Sequence, residues 1–339
     1  MNQGGVAVAE KDFVEEAKRS ILKEKIQDYR VTGEESLCDL IDNFEKAHGF
    51  MAGHVARASR IISEMVLDEK TFKILSFTGN LVATGLRGVI AQLLKEGFFN
   101  AVITTCGTVD HDIARGSGAS YYKGDWGFDD AFLKAIEVHR LGNILIPVEN
   151  YGLAVEKFSR KMFEELVVQK KRWSGYELLW EAGRRIRDEN SILKAAFERK
   201  IPIFLPGFYD GAFGSQVIFN SSTIGLEVDL AEDEKKLAEI VFSSEKLGAL
   251  IIGGGISKHH TIWWAQFKEG LDYAVYLTTA VEYDGSLSGA HPREAVSWGK
   301  IKPTSKTVVV YGDATVLLPL IVAGFKCILR KEKGSAGET

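Results

Sequence analysis

The sequence predicts a doubly wound α/β fold with a mostly parallel sheet, preceded by an N-terminal helical extension. Three observations predict it. From residue 73 onward, short β-rich runs recur, and most are apolar on both faces, as strands covered on both sides of a sheet must be. Amphipathic helical stretches separate most of these runs, and strand, turn and helix repeated in this way define an α/β layer architecture. Glycine is abundant, 34 copies against 6 prolines, and many glycines close the apolar runs, where tight strand-to-helix turns need them.

The elements follow in order. Residues 8–28 read as an amphipathic helix in which Val14, Ala17, Ile21 and Ile26 share a face. After the break at 31–33, a second helical region starts near Glu34, with Leu37, Leu40, Ile41 and Phe44 at helical spacing, and runs past Gly49 to about Val66. The β-rich runs are 73–78, 101–105, 143–146, 202–205, 247–252, 273–277 and 307–311. Helices are predicted over 84–97, 152–170, 174–199, 229–245, 258–270 and 314–325. The expected organisation is an extension over 1–70, one catalytic unit over 71–330 and a disordered tail over 331–339.

Composition excludes several classes. Apolar residues make up 45% and charged residues 26% of 339 residues, the balance of a globular chain with a sizeable core. No uncharged apolar run is long enough to span a bilayer, and the first residues have neither a signal peptide's apolar stretch nor a transit peptide's lack of acids. A net charge of −4 argues against nucleic acid as a partner. Cys38, Cys106 and Cys327 lack metal-ligand spacing and leave one thiol over if any two pair, so a reducing, cytoplasmic setting is the simplest and no metal is expected.

Ligands of an open parallel sheet bind outside the carboxyl ends of its strands. Here those ends carry Thr78-Gly79-Asn80, Thr105-Cys106-Gly107, Asp210-Gly211, Gly253-Gly254-Gly255, Thr279-Ala280 and Gly312-Asp313-Ala314. Small residues with hydroxyls and acids suit a dinucleotide, whose pyrophosphate needs close backbone approach and free helix N–H groups. The same glycines suit plain βα turns, and the usual G-x-G-x-x-G is absent. Lys300, following Ser297-Trp298-Gly299, is either an amine nucleophile held partly neutral or an exposed lysine before a strand. His259 and His260 open a helix, where the macrodipole disfavours imidazolium and suits a general base; packing or capping is the alternative. Glu282, Asp284 and Glu294 near Trp298 form either a cation site or a solvated loop.

These residues carry a resemblance. Asp272-Tyr273-Ala274-Val275-Tyr276, Asp284-Gly285-Ser286, Glu294-Ala295-Val296-Ser297-Trp298-Gly299-Lys300 and Asp313-Ala314, with Gly253-Gly254-Gly255, Lys258-His259-His260, Asp210-Gly211 and Gly79-Asn80-Leu81 in the same order, resemble the deoxyhypusine synthase family over about residues 35–327, in its archaeal type. The resemblance implies a Rossmann-like NAD-binding fold and a homotetramer of tight dimers with active sites at the dimer interface. It implies NAD-dependent transfer of the 4-aminobutyl group of spermidine, through an imine on Lys300, to a lysine of the initiation factor 5A precursor. His259 would take the proton of the secondary amine, which must become neutral to expel hydride. Trp298, Glu294, Asp110, Gly285 and Ser286 would contact the polyamine. Gly79, Asn80, Thr105, Cys106, Gly107, Asp210, Gly254, Thr279, Ala280, Asp313 and Ala314 would line the NAD site. The N-terminal helix stands where family members carry a segment that plugs a neighbour's entrance.

The chain departs from the eukaryotic pattern at Asp110-His111, where that pattern has two glutamates, and at Ser215 and Leu287, where it has aspartates. The altered acids keep two other readings open: transfer to a free polyamine, as in a homospermidine-synthase-like enzyme, and a non-catalytic NAD-binding paralogue.

Overall fold

The computed structural model describes residues 13–336 of the chain, with side chains through residue 334. Its centre is a six-stranded, wholly parallel sheet in the order β11-β10-β9-β1-β2-β7. These strands are β1 (Thr71–Phe77), β2 (Ala101–Ile103), β7 (Ile203–Phe204), β9 (Lys246–Ile252), β10 (Leu271–Thr278) and β11 (Ile301–Tyr311). From β1 the chain moves outward through β2 to β7, then returns to β9 on the other side of β1 and moves outward again. The reversal between β1 and β9 is the topological switch point of a Rossmann-type sheet.

Strand chemistry follows from this position. Alternate residues of β1 enter opposite cores: Leu75 and Phe77 pack with Val102 and Leu250 in one cluster, and Ile74 packs with Ala101, Ile103 and Ile251 in the other. Both faces are apolar because helices cover both, as the sequence predicts. Helices α2 (Leu37–Ala47) and α3 (Phe50–Leu67) place Ile41, Val55, Ile62 and Met65 in the first cluster. Helix α14 (Ala314–Ala336) lies alongside them, and Ser59 and Ser63 of α3 donate to the Ile321 and Phe325 carbonyls.

The structure corrects several expectations. Of the predicted helix over 8–28, residues 8–12 lie outside the described residues, 13–21 are helical (α1), and most of 22–36 is irregular. The second helix breaks into α2 and α3 at His48 and Phe50, both in positive-φ conformations beside Gly49. The run 143–146 does not join the central sheet. It forms β5 (Ile144–Pro147), the middle strand of a small antiparallel sheet with β3 (Tyr122–Lys123) and β4 (Val138–Leu141). The helix predicted over 174–199 is two, α8 (Gly175–Arg185) and α9 (Ile192–Arg199). Between them, buried Asp112 accepts from Ser191 Oγ and the Leu193 N–H and pairs with buried Arg87, which also pairs with Asp188. That network fixes a non-helical connection. Of the expected disordered tail over 331–339, residues 331–336 are helical and 337–339 lie outside the described residues.

Two of the three cysteines do pair. Cys38 in the first turn of α2 and Cys327 on α14 form a disulfide with a Cα separation of 5.7 Å across 289 residues of sequence, leaving buried Cys106 as the unmatched thiol. Among the described residues, no helix is long and apolar enough to cross a membrane, and no cluster of His, Cys, Asp and Glu could hold a metal.

Candidate active site

Lys300 is positioned by the short helix α13 (Pro292–Ser297) and the turn after it. The sequence dictates that helix: Pro292 occupies its start, where a missing N–H costs nothing, and the His291 side chain caps it by accepting the Arg293 N–H. Gly299, at φ +66°, lets the chain turn directly into β11. The Lys300 ammonium comes to rest between two indoles, 5.3 Å from the Trp298 ring centre and 5.9 Å from that of Trp263.

The second element is α12 (Gly255–Ala265), which leaves the end of β9. His259 lies one turn before Trp263 and stacks on it at 5.8 Å and 17°. Partial burial holds the His259 imidazole below its usual basicity, and the charges of Lys300 and His260 add to the effect. Nucleophile and base candidates, 41 positions apart in sequence by their numbers, thus share one electrostatic environment.

A cavity opens beside Lys300, lined by Lys258, Ile262, Tyr276, Leu287, Glu294 and Trp298 among others. Of the three acids singled out from the sequence, only Glu294 lines it. Glu282 pairs with Arg293 at 2.6 Å, and Asp284 accepts the Ser286 N–H in a turn of its own loop. Gly285 and Ser286 are exposed in that loop and do not line the cavity, whereas their neighbour Leu287 does. The Tyr276 hydroxyl is buried with no partner among the described residues.

Asp110, expected to contact the polyamine, has hydrogen-bond partners within the fold. It is buried on α5 (Cys106–Gly116), accepts the N–H groups of Ala212 and Phe213 and the Tyr151 hydroxyl, and so caps α10 (Ala212–Ile224). Burial pushes its pKa up against these hydrogen bonds. His111 beside it bonds Tyr121 at 2.8 Å and is driven down to about 4 by burial and by Arg115. The Ser215 hydroxyl turns back to the Gly211 carbonyl.

The remaining residues follow the carboxyl ends of the central strands, on both sides of the switch point. Gly79 follows β1 and Gly254 follows β9, on the two sides of the crevice. A Cβ on Gly79 would come within 2.6 Å of the Thr108 nitrogen, so only glycine lets this loop lie against α5. Thr105 accepts the Gly79 N–H through its hydroxyl rather than capping α5 with it, and its carbonyl accepts the Thr108 N–H. Asn80, Asp210, Thr279 and Asp313 are exposed after β1, β7, β10 and β11, while Cys106 is fully buried, its thiol held protonated by burial and by Asp110. Asp313 caps α14 through the Thr315 N–H, beside Ala314 and the partly buried Ala280. This donor set fits a dinucleotide across the crevice.

Trp263, Lys258 and Tyr276 had no role assigned from sequence. Trp263 was discoverable: a Trp four residues after a helical histidine shares its face. Lys258 and Tyr276 needed the fold to show them buried at one cavity.

Comparison with known proteins agrees. The family model described as deoxyhypusine synthase matches residues 39–325. A protein of the archaeon Sulfurisphaera tokodaii named "probable deoxyhypusine synthase" is 55% identical over 306 residues, covering 90% of this chain and 98% of its own. One of the same name from Ignicoccus hospitalis is 53% identical over 319 residues, covering 93% and 99%. A crystal structure assigned to deoxyhypusine synthase of Entamoeba histolytica superposes with a TM-score of 0.61 at 20% identity, covering 90% of this chain and 98% of its own, a likeness of fold.

Proposed function

The chain belongs to the deoxyhypusine synthase family, and from the geometry around Lys300 we propose how its residues perform that family's reaction. The reaction transfers the 4-aminobutyl group of spermidine to a lysine of the initiation factor 5A precursor. NAD, when bound, takes up a hydride from the donor and later returns one to the product. Gly79, Thr105, Gly107, Asp210, Gly254 and Asp313 would hold it at the switch point.

His259 takes the proton of the donor's secondary amine, because only a neutral nitrogen has the lone pair that drives hydride off the adjacent carbon. The depressed basicity of His259 keeps it unprotonated and ready. The Lys300 amine then adds to the C=N carbon, and the bond to the departing nitrogen breaks to release 1,3-diaminopropane. The aminobutyl group stays on Lys300 as an imine until the acceptor lysine displaces it. Trp298 and Trp263 flank the cationic chain, and Glu294 holds an ammonium end.

The carrying observation is the approach of Lys300 and His259 to a common indole, Trp263. Trp298 is 67% exposed and Trp263 43% exposed in the single chain, while imines require exclusion of water. This supports a site completed by a second subunit, as in a homotetramer built from dimers. Leu287, which gives one cavity wall no charge, keeps a free polyamine as a second candidate acceptor.

The test supplies NAD and labelled spermidine with the initiation factor 5A precursor or with putrescine. Borohydride should trap label on Lys300, and mass spectrometry should find an added aminobutyl group on one precursor lysine. Label that reaches putrescine alone would move the assignment to the free-polyamine enzyme. No adduct on Lys300 would leave a non-catalytic NAD-binding protein.

A further inference from the structure

One ammonium at the cavity has no part in the steps above. Lys258 is only 1% exposed. Its Nζ donates to the Ala290 carbonyl at 2.8 Å and the Ser288 carbonyl at 3.4 Å, and lies 4.2 Å from the centre of the Tyr276 ring. Among the described residues it has no carboxylate at ion-pair distance, although Glu294 is near enough to favour its charge. A buried charge without a counter-ion is costly, so its retention here calls for a role that a methionine of similar length could not fill.

That role follows from what the two carbonyls belong to. Residues 286–291 form a strap between the end of β10 and α13, and Leu287, Ala290 and His291 of the strap line the Lys300 cavity. Lys258 stands on the first turn of α12, next to His259. The same strap leads directly into the helix that presents Lys300. We propose that Lys258 is a positioning residue: its ammonium ties the strap to α12 and thereby sets the spacing between the element that carries the base and the one that carries the nucleophile. Two neutral contacts assist: the Ser288 hydroxyl accepts the Gly255 N–H, and the Thr278 hydroxyl donates to the Ser288 carbonyl. Neither reaches Ala290; among the described residues the bond from α12 to the Ala290 carbonyl is made by Lys258, while the other bonds of this end stay within the strap and α13.

The tie is sensitive to pH. Burial lowers Lys258 to about 8, opposed by Glu294. The other groups facing it are Tyr276, held protonated by burial, His291, whose own basicity Lys258 lowers, and Lys300 across the cavity. Loss of the proton turns two charge-assisted hydrogen bonds into weaker neutral ones, and the strap loosens as the solution passes from pH 7 to 9.

Hydrogen exchange of the strap amides in the full-length protein tests this, after correction for intrinsic exchange rates. Wild type should lose protection over residues 286–291 between pH 7 and 9, with α12 and β10 unchanged. Lys258→Met should show the low protection at both pH values. Strap protection independent of pH in wild type overturns the proposal and needs no variant. A folded Lys258→Met with wild-type strap protection overturns it equally. A kinetic arm rests on the proposed function: the spermidine KM of Lys258→Met should rise about tenfold, the scale of a lost charged hydrogen bond, with NAD affinity retained. If exchange behaves as expected while neither protein transfers aminobutyl groups, the tie stands and the reaction assignment falls.

Discussion

Reducing the Cys38–Cys327 disulfide should lower the melting temperature by several degrees, and the structure supplies the size. The bond joins positions 289 residues apart, so opening it returns nearly the whole chain's closure entropy to the unfolded state. The chain-entropy relation gives a ceiling of about 5–6 kcal/mol for a loop of that length, and measured native disulfides give about 2–4 kcal/mol. The lower range fits here, because α2 stays attached through Ile41 in the core and Phe44 packed against it. At roughly 2.1 cal/mol/K per residue, a chain of 339 residues has an unfolding entropy of about 0.7 kcal/mol/K, so the shift is about 3–6 °C. Calorimetry with and without a phosphine reductant reads it, with Cys38→Ser as the permanent form and Cys106→Ser as a control outside the bond. Intact mass under non-reducing conditions should rise by about 2 Da on reduction, one hydrogen per sulfur. A verified bond whose opening left the transition unmoved would refute the argument that it restrains the unfolded chain.

Other perturbations address the site. Lys300→Ala should abolish transfer and borohydride trapping while NAD still binds, as titrated by quenching of tryptophan fluorescence; a variant retaining full transfer would end the nucleophile assignment. Gly79→Ala places a Cβ within 2.6 Å of a backbone nitrogen that has no room to retreat, and should weaken NAD binding or stability by about 1–3 kcal/mol in titration or thermal melts. Leu287→Asp adds a second carboxylate to a cavity lined by Glu294 alone among acids, and should lower the spermidine KM by about tenfold or more if a primary amine reaches that wall. An unchanged KM would show that the donor's cationic ends lie elsewhere.

Much of the fold was legible because its signal is local. A strand covered on both faces must be apolar on both, and β1, β9, the second half of β10 and the last residues of β11 announce themselves in that way. Lys300 and His259 were legible through a motif, and the structure brings both to Trp263. What stayed hidden depends on partners distant in sequence. The run 143–146 has the composition of a core strand, yet its pairing with two neighbouring strands keeps it outside the main sheet. The cap that Asp110 supplies was hidden too, because α10, which presents two N–H groups to it, lies more than 100 residues later. Cys38 and Cys327 became a pair only when α2 and α14 were packed side by side. Lys258 looks like any surface lysine until burial removes its water.

The strap also explains how one crevice and one cavity work together. Ser288 packs on Gly254 so closely that a Cβ there would meet its hydroxyl at 2.1 Å, while its backbone carbonyl accepts from Lys258. Ser288 therefore contacts both Gly254 at the switch point and Lys258, which lines the lysine cavity. In the proposed reaction hydride loss and capture by an amine occur on the same carbon, so a residue in contact with both Gly254 and Lys258 bears on both steps. It also follows that a change at residue 288 disturbs both compartments together, whereas changes at Gly79 and Leu287 each disturb one.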